Sequence, residues 1–247
     1  MNQVTAAVEP QASFLMLLPP GWTRLPAREA ESETLTGMID EIIADALPST
    51  LPRDTAEPWR GELRKRLLAA ALEARAAGAT AVYLPHRAID GFIAPVSIIE
   101  SEVDDDGIAP ADEVLDGLAM DSGANASRET IDGAAAVRTD TTHGRATLPD
   151  DGPEVLNRQV VYTIEVPHRE GRWVVMSFSA ITAIDSPPEL LDALVLLFDA
   201  MMTTFRWADV PGAEPSDLEL RLSEIHSHTG ENDPTEAPDS AVEGTHD

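Results

Sequence analysis

Apolar positions along the chain change period several times, and each change marks an element. A short apolar run at 14–18, stopped by Pro19, Pro20 and Gly21, predicts a strand. Leu35, Met38, Ile39, Ile42 and Ala46 then recur at helical spacing, predicting a helix over 32–47 with Glu29, Glu31 and Glu33 near its positive end and Pro48 and Pro52 beyond it. A second helix, 58–77, carries Leu63, Leu67, Ala70 and Ala74 on one face and stops at Gly78. The pattern next becomes β-branched and aromatic, so 81–84 and 92–99 read as a hairpin across Pro85, Asp90 and Gly91. Pro110, Asp112 and Glu113 open a short helix through Leu115 and Leu118 that ends near Gly123.

The sharpest local signal is Asp132-Gly133 between 127–131 and 134–142, the residue pair favoured in a two-residue type I′ turn. Val160, Tyr162, Ile164 and Val166 alternate with more polar neighbours, and the chain turns through 167–171 into a strand at 173–181. These four strands predict an antiparallel meander. A final helix starts at Pro187 and Pro188, and Leu190, Leu194, Leu197, Met201 and Phe205 form its apolar stripe. That stripe is expected to lie on Val174, Met176 and Phe178, with Asp192 and Asp199 facing water. The element order predicts an α+β domain, one antiparallel sheet with helices packed against it.

Composition sets the domain limits. After Trp207 the residues Asp209, Glu214, Asp217, Glu219, Glu224, Glu231, Asp233, Glu236, Asp239, Glu243 and Asp247 face Arg221 alone, with four prolines among them and no aromatic residue. Such a segment cannot offset its ordering entropy, so 208–247 is expected to be a disordered acidic tail, 1–11 a flexible N-terminus and 12–207 the single folded domain. No internal repeat occurs.

Charge narrows the partners. The formal net charge of −27 disfavours contact with nucleic-acid phosphates or an anionic membrane surface. The apolar run at 14–18 is short and follows Glu9, unlike a signal peptide, and the segment 190–205 carries two aspartates where a membrane span needs about 20 apolar residues. A cytoplasmic location is expected. The chain has no cysteine, which excludes disulfide scaffolds, thiol catalysis and thiolate-held metals. Lys65 is the only lysine, a bias of the kind a GC-rich genome produces.

Candidate chemistry is sparse. Glycine-rich phosphate loops, the G-x-S-x-G elbow and H-E-x-x-H are all absent. Asp140 and His143 lie three apart near a strand end, where an exposed pair is the simpler expectation than a catalytic one. Glu102, Asp104, Asp106, Gly107 and Glu113 match positions 1, 3, 5, 6 and 12 of a calcium-binding loop, but Glu replaces Asp at position 1, Pro110 sits at position 9 and a strand precedes. A solvated acidic strand-to-helix loop is expected there. His226 and His228 form an H-x-H pair in the tail, far short of a closed metal site. Trp22, Trp59, Trp173 and Trp207 stand at element junctions and are expected to seal core edges. No catalytic, cofactor-binding or metal residue is assigned.

Pro20-Gly21-Trp22 after a first strand, the meander, and a last helix closing on Thr204-Phe205-Arg206 resemble the Mog1/PsbP-like α/β/α sandwich over roughly 12–207. The two helices within 32–77 are longer than that family's usual opening. The lysine-poor style is similar to that of actinobacterial proteins. The resemblance implies a non-enzymatic module that binds protein partners, and it carries no catalytic residue across. The expected function is therefore a cytoplasmic interaction or accessory module without a cofactor, binding a basic protein through its acidic surface. The alternatives are a small-molecule enzyme with a pocket the sequence does not show, or a cation-regulated binder using 102–113.

Overall fold

A computed structural model describes residues 12–46, 53–88, 91–105, 109–122, 125–147 and 154–208. The expected flexible N-terminus, the acidic tail from Asp209 onward, His226, His228, Asp106 and Gly107 lie outside these residues. The fold is α+β. Its elements are β1 (Ser13–Leu15), β2 (Trp22–Pro26), α1 (Ser32–Ala46), α2 (Arg53–Ala76), β3 (Ala79–Pro85), β4 (Val96–Asp104), α3 (Ala111–Ser122), β5 (Ala126–Ile131), β6 (Ala134–Thr147), β7 (Glu154–Glu165), β8 (Arg172–Ala183), α4 (Pro188–Met202) and β9 (Arg206–Ala208).

Seven strands form one sheet in the order β2-β3-β4-β8-β7-β6-β5, every neighbouring pair antiparallel. The expected meander is its β5-to-β8 half. At the Asp132-Gly133 turn both residues have positive φ, 47° and 80°, the mirror-image geometry that matches the twist of the flanking strands. Two strands were not evident from periodicity. β2 is a five-residue edge strand between Gly21 and the turn into α1, and β9 pairs with β1 as a separate two-stranded ribbon. Between β1 and β2, Gly21 has φ 78° and lies against Arg87, where a side chain would meet the Arg87 Cβ at 3.1 Å. Its carbonyl accepts hydrogen bonds from the amides of His86 and Arg87, so the Pro-Pro-Gly-Trp turn is seated on the end of β3.

Alternation places the helices on opposite sides. Phe198 of α4 stacks on Phe178 and meets Tyr162 edge-on, with ring centroids 4.9 and 5.6 Å apart. On the other side α1 and α2 close a core around Leu25, Leu35, Ile39, Ile42, Ile43 and Ala71, and α3 buries Leu115 against Val137 and Trp173. Trp173 and Phe178 stand five apart on β8, so they point to opposite faces.

Several expectations change. The final helix does lie on the meander, but its inner face is Leu191, Leu194, Val195, Phe198, Met201 and Met202, with Leu197 only half-buried. Phe205 is buried beyond the helix end, where it stacks on Phe14. Asp199 does not face water: Arg138 and Tyr162 hold it in a half-buried position. The strand expected at 92–99 starts only at Val96, because Pro95 has no amide to give the ladder, and it continues to Asp104. α2 begins at Arg53, with Pro58 inside it.

Candidate functional site

The sequence candidates disperse. His143 shares a hydrogen bond with Gln159, 3.1 Å from its Nε2, while Asp140 is taken by arginine on the opposite face of the sheet. Arg158 grips Asp140 through Nε and Nη2 at 2.9 and 2.8 Å, and Arg138 adds a contact at 3.3 Å. The expected exposed pair is thus corrected, since the Asp140 side chain is 16% exposed and its partners are cations. The hydrogen bond from Arg158, with the charges of both arginines, holds its carboxyl below the ordinary carboxylate range despite partial burial. Arg138 bridges onward to Asp199, and Arg158 to Asp192.

The calcium-loop pattern is also corrected. Glu102 and Asp104 belong to β4 rather than to a loop. Glu102, with its side chain 9% exposed, accepts from Arg28 at 2.7 Å and lies 3.6 Å from Arg172, which in turn contacts Asp104 at 3.0 Å. Glu102 and Asp104 thus have guanidinium groups as their counter-ions. Among the described residues no group of three or more His, Asp or Glu is placed to hold a metal ion. The tryptophans divide: Trp173 and Trp207 are buried, Trp22 is half-buried on β2, and Trp59 is 61% exposed on α2, against the expectation of a core role.

One cluster escaped the sequence. Glu100, only 3% exposed, receives the Tyr83 hydroxyl at 2.5 Å, the Thr80 hydroxyl at 2.7 Å, and Arg24 through Nη2 at 3.2 Å and Nε at 3.3 Å. Burial, reinforced by the neighbouring carboxylate, raises the Tyr83 phenol well above its usual range. A glutamate following Val96, Ile98 and Ile99 reads as the end of a strand. Only continued alternation through Glu102 and Asp104 signals that the strand goes on.

The two helical groups leave the middle of the sheet bare. On the face shared by α1, α2 and α3, Ile99 and Val103 of β4 and Ile181 of β8 are 37%, 45% and 37% exposed, although β4 and β8 are the third and fourth of seven strands. Beside them runs a polar ladder, His143 to Gln159, Gln159 to Ser177 at 2.9 Å, and Ser179 to Asn157 at 2.9 Å. α3 borders this strip. Arg128 on β5 pairs with Asp112 and Asp116, which turns those acids to the outer side and leaves Val114, Leu118 and Asp121 on the flank toward the bare strands. The uncovered strip combines apolar residues with hydrogen-bonding side chains, which suits recognition of a surface more than chemistry on a bound atom.

Comparison with protein-family models and with curated proteins finds no match for this chain.

Proposed function

We propose that the protein is a non-enzymatic interaction module of the Mog1/PsbP-like kind, binding a basic, amphipathic segment of a partner protein on the bare strip of sheet between α2 and α3. The observation that carries this reading is the exposure of Ile99, Val103 and Ile181 on the two central strands of the sheet, on the face that α1, α2 and α3 cover only toward its ends. An antiparallel sheet that leaves a face to water normally turns polar residues outward there, so an apolar patch rimmed by polar groups marks a binding surface. The charge of the partner follows from the arginines. Arg64, Arg87, Arg128, Arg138, Arg158 and Arg172 are each engaged by the protein's own carboxylates, so the excess acid is what the surface offers. A cytoplasmic setting belongs to the same proposal; no helix among the described residues is long and apolar enough to cross a membrane.

Site-specific photocross-linking tests this. A benzoylphenylalanine at Val103 should capture one partner, through a segment with apolar and basic residues, and Ile99→Arg or high salt should abolish the adduct. An equal yield from Leu196, which is 70% exposed on the opposite face, would place the interface elsewhere and overturn the assignment.

A further inference from the structure

On the side of the sheet away from the bare strip, the segment from Ala12 to Leu18 crosses above β2, β3 and β4 and leaves a cavity of about 400 Å³ beneath it. That volume is within the range of small-molecule sites, roughly 300–1,000 Å³. Its two walls differ. Phe14, Met16 and Leu18 supply an apolar side, while Arg24, Arg28 and Tyr83 supply the other, with Glu31, Glu100 and Glu102 lining it as well.

Both arginines are held by carboxylates yet keep donors to spare. Arg24 uses Nε and Nη2 on Glu100 and Tyr83, which leaves Nη1 without a partner among the described residues, and its side chain is 40% exposed. Arg28 uses Nη2 alone, on Glu102, and is 26% exposed. Two guanidinium groups fixed in advance by buried acids and facing one cavity lose little entropy when they bind an oxyanion, and their planar donors fit a carboxylate.

The ceiling is itself anchored. Phe14 stacks on Phe205 at 4.5 Å and meets Trp207 edge-on, and the Leu17 amide donates to Thr204 Oγ1 at 3.0 Å. The apolar wall is therefore a fixed surface rather than a loose flap.

We propose that this cavity binds a small organic carboxylate carrying an apolar group, the carboxylate on Arg24 and Arg28 and the apolar group against Phe14, Met16 and Leu18. This site is independent of the interaction surface, which is on the other face of the sheet. Calorimetric titration of the full chain with 4-methylpentanoate, leucine and 3-methylbutylamine tests it. At least one of the two acids should bind saturably with Kd of about 1 mM or tighter, and the amine should not. Preference for leucine that disappears in Glu31→Gln would identify amino acids as the natural class, whereas preference for 4-methylpentanoate would identify simple acids.

Arg28→Gln should weaken binding at least tenfold without unfolding the chain, because Glu102 keeps Arg172 as a partner. Met16→Trp, which fills the cavity and leaves both arginines in place, should abolish binding. No saturable binding of either acid would overturn the proposal. So would binding that neither substitution changes, or equal binding of the amine.

Discussion

At the scale of single residues, what decides the structure is how buried charge is matched. Glu100 has lost almost all contact with water and recovers it from four donors on three side chains. Glu100→Ala would return Arg24, 40% exposed, to water but leave the Tyr83 and Thr80 hydroxyls without their acceptor, and stranding buried polar groups costs about 1–3 kcal/mol. Urea denaturation should show a loss of that size. Asp199→Ala should cost about 1–3 kcal/mol, because it leaves the Tyr162 hydroxyl without its acceptor and Arg138 with Asp140 alone. Asp192→Ala should stay below about 1 kcal/mol, since that side chain is 72% exposed.

Both tyrosines of the chain have raised phenol pKa values, Tyr83 and Tyr162 alike, burial being the first cause and a neighbouring carboxylate the second. A phenol that holds its proton more tightly in the folded state contributes fully below its unfolded value of about 10. That contribution is lost as pH rises past 10. Near-ultraviolet phenolate absorbance should therefore remain flat through pH 10 while the chain is folded and appear together with unfolding. A separate early transition would show that a phenol reaches water.

At the scale of elements, the sequence was readable wherever one face is buried and the other wet. α1, α3 and the β5–β8 meander follow their periodicity and their turn residues. The failures share a cause. β2 and β9 are too short for alternation to register, and β9 becomes a strand only because β1, from the far end of the chain, pairs with it. The apolar spacing of α4 predicts the helix but not its rotation. Its apolar residues nearly encircle it, so spacing alone could not choose Phe198 over Leu197 as the centre. The site was less legible than the fold. Neither the bare strip nor the cavity under β1 corresponds to any motif, because each is made by elements that meet only in three dimensions. The corrected orientation gives a sharper expectation: Phe198→Ala should cost about 3–5 kcal/mol and Leu194→Ala about 2–5 kcal/mol, whereas Leu196→Ala should change stability by less than about 0.5 kcal/mol.

For the molecule as a whole, the ribbon of β1 and β9 fastens the beginning of the described body to its end, Leu17 and Thr204 being in hydrogen-bond contact although 187 residues apart. A chain emerging from the ribosome at about 5–20 residues per second exposes Phe14 for roughly 10–40 s before Phe205 and Trp207 exist to receive it. The seven-stranded sheet can form in that interval, since β8 and all its neighbours precede β9. The roof of the cavity cannot. Until β9 has been made, Arg24, Tyr83 and Glu100 stand under open water, and the cavity acquires its apolar wall only when Phe205 and Trp207 arrive to hold Phe14.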